Sequence, residues 1–359
     1  MEYRPLGRLT VSAVGLGCNN FGMRIDADET QRVVDAAIDA GITYFDTAES
    51  YGNGRSEELL GQALGSRRAD VIVASKWGHT ASLAEGERGG APGQIRRRLD
   101  ASLARLGTDY VDHFQLHRPD PDTPVEETLG CLSELREQGK IREIGCTAFT
   151  ADQLVDSHRA AQALGVAPYA SVQNHYSLLT RGPETDGVFA ACEQYGTAFV
   201  PFFPLESGLL TGKYRRGQER PAGSRLTVWG ERAASFIDDD KLAAVERLIA
   251  WCASRDRSLL ELAISWHTSH PLVASVIAGA TSPEQVDANV AASNWSLTSD
   301  ERAEVDARPD LDLVEEAVEA AGSGRARHEQ QCGEHHEPGP IERESHVLPS
   351  ARAGRLGPP

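Results

Sequence analysis

Cysteine pairs are the first feature that the sequence lacks. Six of its 359 residues are cysteines, and no two of them form a Cys-x-x-Cys pair. Even the two closest, Cys131 and Cys146, are too far apart for such a motif. Zinc-binding motifs and the disulfide frameworks of small secreted domains both need closer, regular spacing. We therefore expect reduced thiols that are placed by packing, and no metal site.

Long apolar runs and an excess of positive charge are missing too. No run approaches the ~20 apolar residues of a membrane-spanning helix, and residues 1–8 lack the apolar stretch of a signal peptide. Lys and Arg number 36 against 53 Asp and Glu, which gives a net charge of −17. Such a chain does not attract nucleic-acid phosphates or an anionic membrane surface. The sequence predicts a cytoplasmic protein with neither partner, and it leaves the oligomeric state open.

What the sequence does contain is a regular alternation of short apolar runs and helical patterns. The runs are continuously apolar, which is typical of strands buried on both faces of a parallel sheet. Their ends are mostly about 30 residues apart, the length of one strand–helix unit, with one long insertion at about 206–236. Eight units predict a (β/α)8 TIM barrel, with a doubly wound sheet as the alternative. The predicted strands are 14–17, 42–46, 71–76, 110–117, 141–147, 171–173, 198–203 and 273–279.

The two ends of the chain differ from this pattern. Residues 3–11 have strand character and predict a hairpin that closes the bottom of the barrel. A last helix is expected at 311–321, which completes a single domain over 1–321. Residues 322–359 hold few large apolar side chains and many Gly, Pro, Arg, Glu and His. We expect this tail to be disordered, because it cannot bury enough surface to offset the entropy of ordering.

Polar residues end several of the predicted strands. A barrel brings the carboxyl ends of its strands to one mouth, where active sites of this fold gather. Ionisable side chains at the ends of buried strands are costly unless they are paired. One such residue alone suggests a cap or a loop anchor, whereas an acid, an amine and an imidazole together favour catalysis. The residues are Asp46, Lys76, His117, Thr147 and Gln173, with Tyr51 shortly after the first.

These residues lie in blocks that resemble the aldo-keto reductases. The stretch Phe45-Asp46-Thr47-Ala48-Glu49-Ser50-Tyr51-Gly52 closely resembles the active-site motif of that family. Ala74-Ser75-Lys76-Trp77 and Gln115-Leu116-His117-Arg118-Pro119-Asp120 match as well. Further matching blocks are 144–149, 173–176, 204–213 and 277–285. The blocks follow the family's order, and the resemblance covers roughly residues 1–308.

The resemblance implies a catalytic tetrad of Asp46, Tyr51, Lys76 and His117. Reduction of a carbonyl needs a hydride at carbon and a proton at oxygen, and Tyr51 would donate the proton. The pKa of a free phenol is about 10, and an adjacent Lys76 ammonium would lower it. Asp46 would hold Lys76 charged and in place. His117 would donate a hydrogen bond to the carbonyl oxygen and stabilise developing charge.

The hydride must come from a cofactor. A Rossmann fingerprint is not present, because Gly15-x-Gly17 is followed by Asn20 where the third glycine belongs. In the resembling family the nicotinamide nucleotide lies across the barrel mouth instead. By this resemblance, Thr147 and Gln173 would hold the carboxamide and Phe202 would stack on the nicotinamide ring. Leu205, Ser207 and Lys213 would line the pyrophosphate, and Arg225, Gly279, Thr281, Gln285 and Asn289 would surround the adenosine end.

Two departures from the family bear on the cofactor. Ala148 stands where Asn usually follows the Ser or Thr, which removes one hydrogen bond to the carboxamide. Residues 278–289 also lack the Lys and Arg that many members place on the 2′-phosphate, which leaves Arg225, with Lys213 near the pyrophosphate. NADPH is the expected cofactor, with NADH as the alternative. Residues 279–289 are also consistent with an ordinary strand-to-helix turn capped by Ser282.

The expected function is NADP-dependent reduction of an aldehyde or ketone, which is reversible as an alcohol dehydrogenase reaction. Loops supply the substrate pocket in the resembling family, and Phe21, Trp77 and Trp229 are the aromatic candidates. The alternative is a nicotinamide-nucleotide-binding regulatory or scaffolding subunit on the same barrel. A barrel enzyme of other chemistry, such as a lyase or isomerase of phosphorylated sugars, is a third reading that the matching blocks disfavour.

Overall fold

Eight parallel strands form a closed barrel in the computed structural model, which describes residues 1–307. They pair in the order β10-β3-β4-β5-β6-β7-β8-β9. A parallel bridge between Phe199 and Val273 joins β9 to the segment just before β10, and two 2.9 Å backbone hydrogen bonds support it. The (β/α)8 barrel is thus confirmed over the doubly wound sheet. The strands are β3 Val14–Gly17, β4 Tyr44–Asp46, β5 Ile72–Trp77, β6 Val111–Leu116, β7 Ile141–Thr147, β8 Ser171–His175, β9 Ala198–Phe202 and β10 Val276–Gly279.

Helices connect the strands and begin at identifiable caps. Helix α1 begins at Ala27, ahead of the first apolar residue, because Asp26 and Glu29 form a reciprocal capping box. Helix α3 begins at Pro92, a residue that suits the first helical position, and ends before Gly107, whose φ is +64°. The helices are α1 Ala27–Asp39, α2 Arg55–Leu64, α3 Pro92–Leu106, α4 Val125–Glu137, α5 Ala151–Leu164, α6 Gly182–Thr185, α7 Val188–Tyr195, α8 Arg225–Val228, α9 Asp239–Ala253, α10 Leu259–Thr268, α11 Pro283–Ala292 and α12 Ser299–Asp306.

An N-terminal hairpin closes the bottom of the barrel, as expected. Strands β1 Tyr3–Leu6 and β2 Leu9–Ser12 pair in antiparallel fashion. Their buried side chains Leu6, Leu9 and Val11 pack against side chains from the barrel interior. The interior side chains in this cluster are Tyr44, Ala74, Val200, Ala274 and Ile277. The mouth at the carboxyl ends of the strands is therefore the open end.

Side chains alternate along each strand between the barrel interior and the helical layer. On β5, Lys76 contacts Asp46 and Thr47 inside the barrel, while its neighbour Trp77 stacks on Phe114 in the outer core. This alternation decides which strand residues reach the mouth. It also separates the polar interior from the large apolar cluster between sheet and helices.

The remaining expectations concern the cysteines, the insertion and the tail. Among the described residues, Cys18, Cys131, Cys146, Cys192 and Cys252 are free and buried, as expected of thiols placed by packing. The insertion after β9 holds 3-10 helices at Glu206–Thr211 and Gly230–Ser235, the short α8, and then α9. Within residues 1–307 no helix is both long and apolar enough to cross a membrane. The expected helix at 311–321 and the tail at 322–359 lie outside the described residues.

Candidate active site

Lys76 is the centre of the polar group at the barrel mouth. The side chain is fully buried. Its Nζ donates to Asp46 Oδ2 at 2.6 Å, to the Thr47 carbonyl at 3.0 Å and to Tyr51 Oη at 3.2 Å. The structure thus brings together three of the predicted tetrad residues from β4, β5 and the 3-10 helix Tyr51–Gly54. Each ammonium hydrogen has an acceptor, so the amine is fixed in one position.

The second oxygen of Asp46 binds two amides. Gln173 Nε2 donates to Asp46 Oδ1 at 3.1 Å, and Gln115 Nε2 donates to the same oxygen at 3.2 Å. From the sequence, Gln173 is expected to bind only the cofactor, and Gln115 has no expected role. Its inward position on β6, two residues before His117, is the signal that could have identified it. Asp46 therefore links the Lys76–Tyr51 pair to the residue predicted to hold the carboxamide.

Burial decides the protonation of Tyr51. Desolvation raises the pKa of the phenol and outweighs the Lys76 ammonium, which lowers it. The net shift of the Tyr51 pKa is upward, in contrast to the lowering by Lys76 that the sequence predicts. For Lys76, desolvation lowers the pKa of the amine, but Asp46 and Tyr51 together outweigh it. The net shift of this pKa is therefore upward. The resting pair is thus an ammonium beside a neutral phenol that can donate a proton.

His117 faces this pair as a neutral imidazole. Burial, followed by the nearby Lys76 charge, holds its pKa well below the usual value. Its ring meets the Tyr51 ring edge-on, with centroids 6.0 Å apart, and the His79 ring at 4.8 Å. Its Nδ1 atom is buried without a hydrogen-bond partner among the described residues. The fourth residue of the predicted tetrad therefore lies beside the phenol, with His79 as a further neighbour that the sequence does not indicate.

A second polar layer lies beneath the tetrad, inside the barrel. His113 Nδ1 is 2.9 Å from Tyr44 Oη, and its Nε2 is 3.0 Å from Ser171 Oγ. Burial and the Lys76 charge lower the pKa of His113 to about 3, so this imidazole is neutral. Gly145 must be glycine here, because a Cβ would come within 2.4 Å of His113 Nε2. The layer supports the tetrad from below with every imidazole nitrogen paired.

The residues predicted to hold the nicotinamide end lie around the mouth. Thr147 ends β7, and its Oγ1 is buried without a partner among the described residues, as a hydroxyl reserved for a ligand would be. Its neighbour Ala148 has φ +59°, a left-handed conformation that Asn adopts more readily than Ala. Phe202 ends β9 with its ring partly exposed. An unpaired hydroxyl, an amide and an aromatic face fit a nicotinamide carboxamide and ring.

Three cations, Lys213, Arg24 and Arg225, lie near one another at the rim of the mouth. Burial lowers the pKa of Lys213, and the nearby charges of Arg24 and Arg225 lower it further. Arg225 Nη2 donates to Asn20 Oδ1 at 3.2 Å, and Arg24 Nη2 donates to the Gly223 carbonyl at 2.9 Å. The sequence does not associate Arg24 with the other two cations, because it lies in the loop after β3, far along the chain from Lys213 and Arg225. The convergence of three positive charges fits a phosphate group.

The other residues predicted for the cofactor lie on the same rim. Leu205 and Ser207 belong to the segment that follows β9, and Ser207 is buried with φ +55°. Gly279 is exposed at the end of β10. Gln285 Oε1 accepts from the Thr281 backbone N–H at 3.0 Å, and Asn289 is buried one turn later. Ser282 occupies the N-cap position of α11 without a side-chain cap bond to the helix backbone, and Pro283 follows it at the first helical position.

The predicted substrate residues are placed differently. Phe21 and Trp77 are fully buried, so neither side chain offers surface to a substrate in this conformation. Trp77 points away from the mouth because Lys76 takes the inward position on β5, and its Nε1 donates to the Gly89 carbonyl at 3.0 Å. Trp229 is partly exposed and packs against Phe236 at a centroid distance of 4.7 Å. Of the three, only Trp229 has surface available for a ligand.

Comparisons with known proteins agree on one family. The model of the Aldo/keto reductase family matches residues 13–308. A probable voltage-gated potassium channel subunit beta from Oryza sativa subsp. japonica is 37% identical over 81% of this chain and 91% of its own length. An NADH-specific methylglyoxal reductase of Escherichia coli strain K12 is 34% identical over 83% and 95%. An L-glyceraldehyde 3-phosphate reductase of Escherichia coli O157:H7 is 32% identical over 85% and 92%.

Proposed function

The chain belongs to the aldo/keto reductase family, and we propose that it reduces an aldehyde or ketone to the alcohol with NADPH, with Tyr51 as general acid. The observation that supports this proposal most strongly is the hydrogen-bonded series Asp46–Lys76–Tyr51 in a buried mouth, with 2.6 and 3.2 Å contacts. A site that only bound a nucleotide would not need a phenol held against a buried ammonium.

The chemistry follows from the charge states of the tetrad. A nicotinamide cofactor, when bound, would supply the hydride that the carbonyl carbon needs. Tyr51, neutral at physiological pH, donates its proton to the carbonyl oxygen as negative charge develops there. Lys76 stabilises the phenolate that remains, because its Nζ already lies 3.2 Å from Tyr51 Oη. His117, a neutral imidazole, can donate a hydrogen bond that orients the carbonyl and disperses the charge.

A regulatory or scaffolding subunit is the second candidate. The rice relative carries the name of a probable potassium channel subunit beta, so similarity alone does not separate the two functions. The candidates differ in turnover. We expect the purified protein to consume NADPH, followed by its absorbance, with at least one substrate from a panel of aldehydes, ketones and sugars. Tight NADPH binding without any turnover would favour the regulatory subunit.

The preference for NADPH over NADH is part of this proposal. Arg24, Lys213 and Arg225 together offer more positive charge than the sequence analysis counted, which supports a 2′-phosphate. The Escherichia coli relative is named an NADH-specific reductase, so the preference is a property to test in this chain.

Arg225→Ala is expected to weaken NADPH binding by roughly ten- to a hundredfold and to leave NADH binding nearly unchanged. The reason is that a charge-assisted hydrogen bond to phosphate contributes about 1.5–3 kcal/mol, and NADH lacks that phosphate. Titration of cofactor fluorescence gives both dissociation constants, and Arg24→Ala tests the third cation in the same way. Equal losses for the two nucleotides would show that Arg225 does not bind the 2′-phosphate.

The pH dependence should follow the phenol. Because burial holds the pKa of Tyr51 above its ordinary value of about 10, the proton donor stays protonated throughout the neutral range. The ionisation of Tyr51 should therefore leave the kcat of carbonyl reduction constant from pH 6 to about 9. This kcat should fall only at more alkaline pH. Alcohol oxidation, which needs the phenolate, should rise with pH over the same range. A reduction rate that falls by pH 8 would contradict the raised pKa.

A further inference from the structure

Glu206 and three partners form a cluster that the tetrad does not use. Its Oε1 atom lies 2.8 Å from His175 Nε2 and accepts hydrogen bonds from Ser177 Oγ at 2.5 Å and Thr180 Oγ1 at 2.8 Å. We call Glu206, His175, Ser177 and Thr180 the Glu206 clasp. The clasp joins the segment after β9 to the end of β8 and the loop that follows it. These are two separate edges of the mouth.

The carboxylate is buried, and it is ionised. Burial alone raises the pKa of Glu206, but His175 and the hydroxyl of Ser177 outweigh it and hold the pKa at about 2. A buried charge of this kind is stable only while its partners stay in place. The clasp is therefore a rigid connection, and losing any part of it leaves polar atoms unpaired.

The segment that the clasp holds has an unusual backbone. Phe203, Glu206 and Ser207 all have positive φ, at 53°, 45° and 55°. Residues other than glycine rarely adopt this backbone conformation, and it persists only where surrounding contacts enforce it. Ser207 and, further along, Lys213 are the residues proposed for the cofactor pyrophosphate. The clasp holds the Glu206 side chain at the start of this segment, beside the backbone hydrogen bonds from Glu206 N–H to the Phe203 carbonyl at 2.9 Å and from Gly208 N–H to the Leu205 carbonyl at 2.8 Å.

The clasp also reaches the residue proposed to stack on the nicotinamide. The His175 ring lies nearly parallel to the Phe202 ring, with centroids 5.4 Å apart and planes 16° apart. His175 meets Phe203 edge-on at 5.7 Å. His175 follows Gln173 by two residues on β8 and so shares its inward face. The His175 imidazole thus packs against the Phe202 ring while its Nε2 contacts the Glu206 carboxylate.

We propose that Glu206 and His175 are positioning residues for the cofactor: Glu206 fixes the phosphate-binding segment, and His175 fixes the orientation of Phe202. This inference rests on the proposed function. In this proposal Glu206 acts through Ser207 and Lys213, and His175 acts through Phe202. The two roles are separable, because the bond to Glu206 and the stack on Phe202 use different parts of the imidazole.

The test uses four variants of the full chain. Glu206→Ala should weaken binding of both NADPH and NADP⁺ by roughly ten- to a hundredfold, the scale of one charge-assisted hydrogen bond. Glu206→Gln keeps an acceptor oxygen and should rescue much of that loss. His175→Phe keeps a ring on Phe202 and should raise the dissociation constants severalfold with kcat nearly unchanged. His175→Gln keeps a donor for Glu206 and should lower kcat more than it weakens binding.

Glu143→Gln is the matched control. Glu143 is also a buried carboxylate, but it lies at the opposite end of the barrel and accepts from the Arg8 backbone N–H at 2.9 Å. Nucleotide binding in this variant should equal that of the wild type, and thermal melts compare the stability of all variants.

Two results would overturn the proposal of a clasp. One is unchanged nucleotide binding in Glu206→Ala, or in His175→Phe if the alanine variant does not fold. The other is a loss of the same size in Glu143→Gln, which would mean general destabilisation. A wild-type protein that binds neither nucleotide would instead overturn the proposed function itself.

Discussion

Tyr51→Phe is expected to lower kcat by about 10²- to 10⁴-fold, the usual contribution of general acid catalysis. The substitution removes the only proton that the proposed mechanism delivers to the carbonyl oxygen. The ring remains, so its edge contact with His117 and the position of Lys76 above it, 5.0 Å from the ring centroid, are kept. We therefore expect cofactor affinity and melting temperature close to those of the wild type, measured beside steady-state kinetics.

Tyr44→Phe provides the control for this experiment. Tyr44 is also buried inside the barrel and its hydroxyl is bonded to His113, but it lies one layer below the tetrad. Its loss should cost stability on the order of 1 kcal/mol and change turnover far less than Tyr51→Phe does. Comparable turnover losses in the two variants, or normal turnover in Tyr51→Phe, would remove Tyr51 from its proposed role.

Lys76→Met should be inactive as well, and it should also be unstable. Without the ammonium the pKa of Tyr51 rises further, and no charge remains to stabilise its phenolate. Asp46 would keep the amides of Gln115 and Gln173 but lose its cation, and breaking a buried ion pair on one side costs about 3–5 kcal/mol. Denaturant unfolding together with turnover measures both effects.

The double variant Asp46→Asn/Lys76→Met separates the two effects. An amide at position 46 removes the uncompensated buried charge, so much of the lost stability should return. Activity should not return, because the amine is still missing. Recovery of turnover in the double variant would show that Lys76 acts only by balancing Asp46, and not on Tyr51.

Much of the barrel follows from periodicity in the sequence. Continuous apolar runs predict every parallel strand, because a strand covered on both faces needs apolar residues at successive positions. The predicted β4, β6, β9 and β10 extend one to three residues beyond the observed strands, and the predicted β8 stops two residues short. Such ends depend on side-chain hydrogen bonds, which periodicity does not register.

The candidate site also combines residues that the sequence predicts with features that it does not predict. Residues at strand ends, such as Asp46 and Lys76, are predictable because the barrel itself brings strand ends together. Two features are not: the burial that sets the pKa of Tyr51, and the approach of Arg24 to Lys213. Each depends on contacts between segments that are distant in sequence. Glu206 was overlooked for the same reason, since its partners lie about 30 residues earlier, on a neighbouring edge of the mouth.

The closure of the barrel has a consequence for how the chain folds. Strand β10 completes the cylinder by pairing with β3, in register from Val276–Val14 to Gly279–Gly17. Arg4 in the hairpin also donates to the Val273 carbonyl at 2.7 Å. The contacts that close the cylinder therefore join the first and last parts of the described chain, and such long loops are slow to form. During synthesis β3 and β9 remain open edges until β10 has left the ribosome. Until then these two edges can pair with other chains, which is the main route by which unfinished sheets aggregate.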